Sequence, residues 1–315
     1  MKHFKTTTHC DLIIIGASGF VGHNLTKYFS SRCSVIGTYH KHPLPRGLEA
    51  KVRSIQLDVR DQQQVRLALS EFRPQAVLHV AGNKNLKDCE KFPSDAYEVN
   101  AIGAQNVARA CKGISAKMIY LSTDLIFDCS RGWYTENDIP LPNTVYGKTK
   151  LEGERLSKQE LDDISICRSG GIYGPGSPLL GWASANLTKN LPLNCFINVF
   201  NTPTYVYNLA EMVDVIIKNN FAGVFHTVGS QRISRFDFFL NYAEQFEFDP
   251  VLIRPTIHDQ KSDHFLLQPD ASLSTEITRS RLQTPFFSVT EGLRRLRELE
   301  TRLYDKARAI HVHKG

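Results

Sequence analysis

Leu12-Ile13-Ile14-Ile15-Gly16-Ala17-Ser18-Gly19-Phe20-Val21-Gly22 is the stretch that decides the fold. Four consecutive apolar residues, three of them isoleucine, read as a short strand buried on both faces. Glycines at 16, 19 and 22 follow at once, and residues 21–30 then take a helical period. Glycine lets the turn tighten and lets the backbone approach a pyrophosphate, whose charge meets the N-terminal end of the helix dipole. The spacing is G-x-x-G-x-x-G rather than G-x-G-x-x-G, so the triplet alone says little. Its place between a strand and a helix carries the reading.

Working outward, strand candidates lie at 12–15, 34–38, 54–57, 76–80, 117–121 and 165–168. Helical stretches at 21–30, 62–72, 94–112 and 145–158 separate them. That rhythm predicts an α/β fold, a doubly wound parallel sheet of Rossmann type. After Arg168 the rhythm breaks into the Gly-, Pro- and Ser-rich segment 169–178. Further helices are expected at 208–219, 234–246 and 290–309, the last with Leu293, Leu296, Leu299 and Leu303 as a packed stripe. The expected division is a cofactor-binding domain at 1–168, with 203–228 returning to it, and a smaller mixed C-terminal substrate-binding domain at 169–202 and 229–315.

Composition narrows the class. The chain has 315 residues, of which 42% are hydrophobic and 22% charged, enough for a sizeable core and too apolar for disorder. The net charge of +6 is spread without a basic block, which argues for small anions rather than nucleic acid as partner. Seven cysteines without a C-x-x-C pair point to reduced thiols in a cytoplasmic setting. The pairs His40/His42 and His311/His313 lack the further ligands a metal site needs. The polar start at 1–10 and the short run 12–15 give no signal peptide and no membrane span.

Within the cofactor domain the second strand runs into Tyr39-His40-Lys41-His42 with no acid. An acid there holds the ribose hydroxyls in NAD sites and repels a 2′-phosphate, whereas Lys41 pairs with one. NADPH is therefore expected over NADH, with NADH still possible. Asp58, followed by Val59, stands just past the third strand, either to accept from the adenine amine or as a helix-capping residue before Asp61.

Tyr146-Gly147-Lys148-Thr149-Lys150 opens a predicted helix, where residues four apart share a face. Tyr146 and Lys150 then project together, and a nearby ammonium is expected to lower the phenol's pKa. Thr123, at the end of the fifth strand, supplies a second hydroxyl to orient a carbonyl.

With these segments in place the sequence resembles the extended short-chain dehydrogenase/reductases, and within them the dTDP-4-dehydrorhamnose reductase branch. The carrying segments are the glycine loop, Leu57-Asp58-Val59-Arg60-Asp61, Leu78-His79-Val80-Ala81-Gly82, Val99-Asn100, Ser122-Thr123-Asp124-Leu125-Ile126-Phe127-Asp128 and Tyr146-Gly147-Lys148-Thr149-Lys150-Leu151-Glu152-Gly153-Glu154. Thr202-Pro203-Thr204 and Glu291-Gly292-Leu293 extend the likeness over nearly the whole chain.

The resemblance implies a catalytic triad of Thr123, Tyr146 and Lys150, with Asn100 supporting the proton relay. It also implies a cofactor site formed by Gly16, Ser18, Gly19, Phe20, Val21, Gly22, Tyr39, His40, Lys41, Asp58, Val59, Ala81, Gly82, Asn83, Asn100, Tyr146 and Lys150. Thr123, Asn83 and Lys84 would meet the substrate, a nucleotide-linked 4-keto-6-deoxy sugar, reduced for deoxysugar and surface polysaccharide (lipopolysaccharide) biosynthesis. A homodimer is possible. Two departures bear on the sugar: Arg168-Ser169-Gly170-Gly171-Ile172 stands where the family has a tryptophan, and Gln268-Pro269 where it has Arg-Pro.

Two other readings compete. One is a non-catalytic NADP-binding subunit like the regulatory subunit of methionine adenosyltransferase, which keeps a similar Y-G-K-T-K motif. The other is a sugar-nucleotide epimerase or dehydratase, against which Leu125 stands where a dehydratase needs a second acid. Lys41, Lys84, Lys150 and Arg168 are expected to meet the anionic diphosphates.

Overall fold

The structure, a computed structural model, describes residues 10–259 and 267–312. Strand β1 (Leu12–Ile15) runs directly into the glycine loop, and helix α1 (Phe20–Phe29) leaves it. β2 (Val35–Tyr39), β3 (Arg53–Gln56), β4 (Ala76–His79), β5 (Lys117–Thr123) and β6 (Ser165–Ser169) follow, each close to its expected place. The strand Gly223–His226 joins beside β6, and the parallel sheet reads Gly223–His226, β6, β5, β4, β1, β2, β3.

The run of apolar residues in β1 is explained by burial on both faces. Leu12 and Ile14 pack with Leu25 and Phe29 of α1 and Leu209 of the helix Val206–Lys218. Ile13 and Ile15, pointing the other way, pack with Leu69, Phe72 and Val107. The strand order reverses between β1 and β4, so the loops leaving their carboxyl ends diverge and open a crevice there.

Past β6 a further apolar cluster gathers Tyr173, Leu180, Leu193, Phe239, Ile253 and Leu293. Three two-stranded pairs accompany it, such as Leu193–Phe196 alongside Ile253–Thr256. In the final helix, Val289–Val312, Leu293 and Leu296 are buried, but Leu303 is 51% exposed, so the expected stripe leaves the core before its end.

The helix expected at 94–112 is not continuous. Pro93–Tyr97 passes through a π-helical turn, Glu98–Ile102, before Gly103–Ile114 resumes the α-helix. The wider turn brings the Asn100 side chain into the interior. The helix Pro178–Leu187 has a small amphipathic signal but a clear start, with Ser177 accepting from the Leu180 N–H and Pro178 in the first turn.

All seven cysteines are free thiols. Among the described residues no group of His, Cys, Asp and Glu is placed to hold a metal, and no helix is long and apolar enough to cross a membrane. Residues 1–9 and His313 lie outside the described residues.

Candidate cofactor and catalytic site

The glycine loop is fixed by contact. Gly16 has φ +93°, and a Cβ on it would lie 2.8 Å from the backbone of Ala81. A Cβ on Gly22 would lie 2.1 Å from the Gly16 carbonyl oxygen, so α1 packs against the loop at a distance no side chain permits. Gly19, at the helix N-cap, provides no side-chain cap to the first turn. The N–H groups there are left for a ligand, and residues 18–22 line a cleft of about 460 Å³. These features fit a dinucleotide pyrophosphate.

The same cleft is lined by Gly16, by Tyr39, His40 and Lys41 after β2, by Asp58 and Val59 after β3, and by Ala81, Gly82, Asn83 and Lys84 after β4. Arg60, which the sequence reading passed over, lines it too. Its guanidinium grips both oxygens of Asp58, with Nη2 at 2.6 Å and Nε at 3.0 and 3.1 Å, while His40 Nε2 stands 3.4 Å away. Arg60 holds the Asp58 carboxyl below the usual carboxylate range. Asp58 is thus paired with a guanidinium while it lines the cleft, and it is not the helix cap. Asp61 is the cap, accepting from the N–H groups of Gln63 and Gln64. The signal for Arg60 was its position two residues beyond an acid at a strand end.

A smaller cavity of about 220 Å³ adjoins the cleft, sharing Phe20, Val21, Ala81, Gly82 and Lys84 with it. Thr123, Tyr146 and Lys150 line it together. Thr123 stands at the end of β5, its hydroxyl donating to Asp124 Oδ1 at 2.9 Å. Tyr146 and Lys150 lie on the helix Val145–Glu160, whose first turn is held by Thr144 accepting from Gly147 N and by Glu90 accepting from Val145 N at 2.8 Å. Gly170, Gly171 and Ile172 close the far wall, where the resemblance led to a tryptophan. A Cβ on Gly170 would fall 1.8 Å from Asp124 Oδ2, so no side chain fits there as the site is built.

Several expectations need correction. The Tyr146 phenol is not lowered: burial dominates and pushes it well above its usual value, with Thr123 only partly opposing. The Lys150 ammonium is itself buried, donates to the Leu121 carbonyl at 2.7 Å, and is pushed down to about 7 by desolvation. Asp124, also buried, is raised to about 7.

Asn100 touches neither cavity. It lies beneath Asn83, accepting from its N–H at 2.7 Å and donating to its carbonyl at 3.0 Å and to Thr149 Oγ1 at 3.0 Å. It shapes the cofactor wall rather than contacting a ligand. Asn83 lines the larger cleft and not the catalytic cavity, whereas Lys84 lines both. Arg168 meets no anionic ligand: it is buried in an ion pair with Glu154, Nη2 to Oε2 at 2.9 Å. Gln268 accepts from Asn143 Nδ2 at 3.5 Å.

A doubly wound parallel sheet, a glycine loop after β1 and a Tyr-x-x-x-Lys pair facing a strand-end threonine define an extended short-chain dehydrogenase/reductase. The chain belongs to the RmlD substrate binding domain family, whose model matches residues 10–300. It is 27% identical over 254 residues to methionine adenosyltransferase 2 subunit beta of Xenopus laevis, covering 77% of this chain and 74% of that one. It is also 27% identical over 254 residues to the dTDP-4-keto-6-deoxy-D-glucose reductase of Streptomyces niveus, covering 79% and 83%. The dTDP-4-dehydrorhamnose reductase ortholog of Clostridium acetobutylicum superposes with a TM-score of 0.80 at 25% identity, over 92% of this chain and 99% of that one.

Proposed function

We propose that this chain is an NADPH-dependent reductase of a nucleotide-linked 4-keto-6-deoxy sugar, acting in the cytoplasm in deoxysugar biosynthesis. The observation that carries the proposal is the convergence of Thr123, Tyr146 and Lys150 in one cavity opening from the cofactor cleft. Residues 1–168 with 203–228 bind the cofactor in this reading, and 169–202 with 229–315 bind the sugar nucleotide. NADPH supplies the hydride that reduces the sugar carbonyl. Gly16 to Gly22 hold its pyrophosphate, and Lys41 and Arg60 meet the 2′-phosphate. Thr123 orients the carbonyl oxygen. Tyr146 donates a proton to that oxygen, a task suited to a phenol that burial keeps protonated at neutral pH. Lys150 holds the nicotinamide ribose, and its ammonium offsets the negative charge left on Tyr146 once the phenol has given up its proton.

The test is NADPH oxidation against dTDP-, GDP- and UDP-linked 4-keto-6-deoxy sugars. Turnover with at least one is expected. The relatives named as a methionine adenosyltransferase subunit favour a second reading, a cofactor-binding regulatory subunit. Silence with every sugar, together with copurification of another enzyme, would select it.

A further inference from the structure

Lys150 is a buried cation with few groups to compensate it. Its side chain is almost wholly enclosed, and its Nζ lies 4.0 Å from the centre of the Tyr120 ring while donating to Leu121 O. Four elements surround it. From β4 comes His79, stacked on Tyr120 and kept neutral by burial and by the ammonium, its pKa lowered to about 3. From β5 come Tyr120, raised by burial, and Thr123, with Asp124 just past the strand end raised by burial to about 7. Its own helix adds Tyr146, also raised, and Glu154 one turn on. Beyond Glu154, β6 adds Arg168, the partner of that carboxylate.

Of these, Glu154 is the carboxylate that an ammonium at this place needs. Its position is over-determined: it accepts from Ser122 Oγ at 2.5 Å and from Arg168 Nε and Nη2 at 3.2 and 2.9 Å, all in the interior. A structural account of the Glu154–Arg168 pair requires only that the two charges meet. It does not explain why the carboxylate sits four residues beyond Lys150, on the helix face that carries the triad.

We propose that Glu154 is a positioning residue for Lys150: anchored by Arg168 and Ser122, its carboxylate keeps the lysine charged beside Tyr146 and the cofactor ribose. The proposal rests on the triad reading above. Glu154 opposes the desolvation that pulls Lys150 down. Arg168, paired with the same carboxylate, fixes where that carboxylate stands.

The test follows NADPH affinity, by cofactor fluorescence, and kcat across the neutral and alkaline range. Both fall on the side where Lys150 loses its proton. In Glu154→Gln that descending limb moves down by about one pH unit. If Glu154→Gln fails to fold, Glu154→Gln with Arg168→Met removes both buried charges, and its limb likewise lies below that of wild type. Loss of activity by one factor at every pH, with unmoved limbs, would overturn the proposal and leave the pair as scaffolding. Lys150→Met separates the two levels. If it retains turnover and NADPH affinity, the triad reading fails; if it loses them while the Glu154→Gln limb stays put, only the role of Glu154 fails.

Discussion

The larger cleft is walled by charges that stay near water, whereas the adjoining cavity is walled by groups taken out of it. Arg60, His40 and Asp58 pair with one another at the rim of the first, with Arg60 41% and His40 48% exposed. In the second, Lys150 and Asp124 are buried and each is drawn toward about 7, while Tyr146 is pushed up. Charges at a rim contribute modest, screened increments to binding. Buried groups lose their ordinary proton affinities, so one substitution changes the chemistry rather than the affinity.

The comparison breaks most visibly at Gly22. Gly22→Ala places a methyl against the Gly16 carbonyl, with backbone on both sides. Loss of measurable NADPH binding is expected, with destabilisation of about 1–3 kcal/mol in denaturant titration. Normal cofactor affinity in that variant would show that the loop is not the pyrophosphate cradle.

Arg60→Gln sharpens the contrast from the rim. NADPH affinity should weaken about tenfold, the scale of one charge-assisted contact, while NADH affinity changes little. Equal losses for both cofactors, in parallel fluorescence titrations, would remove Arg60 from the 2′-phosphate.

A further effect concerns stability in the cavity that holds Asp124. The folded pKa of Asp124 is raised above its unfolded value, so the folded chain holds this proton more tightly. Relative to an uncharged residue, that favours folding at pH below about 4 and is lost as pH rises toward about 7. Asp124→Asn should therefore melt higher than wild type above pH 7 and show little difference near pH 4, by thermal scans at both. A constant offset across pH would mean that Asp124 is not buried as an acid.

The same contrast governs what was legible in the sequence. The strand-loop-helix of β1 and α1 could be read because Gly16 and Gly22 meet backbone, and backbone contact restricts residue type. The meeting of Thr123, Tyr146 and Lys150 in one cavity was legible for a similar reason: helical spacing places Tyr146 and Lys150 on one face, and Thr123 ends a strand. Charge state was not legible, because it depends on burial from elements far apart in the chain. Arg168 read as an anion contact until β6 set it against Glu154. Asn100 read as part of a continuous helix until the π-helical turn sent its amide to Asn83. The wall at Gly170–Ile172 also escaped, since its role is visible only once Asp124 stands against it.

The central claim is that Tyr146 is the proton donor in a cavity fed by the cofactor cleft. It is tested most directly by comparing wild type with Tyr146→Phe on one turned-over 4-keto sugar nucleotide, measuring NADPH oxidation and NADPH affinity together. The account predicts unchanged affinity and turnover lower by about 10²–10⁴-fold, the usual contribution of a general acid. Turnover equal to wild type, with the same affinity, would contradict it.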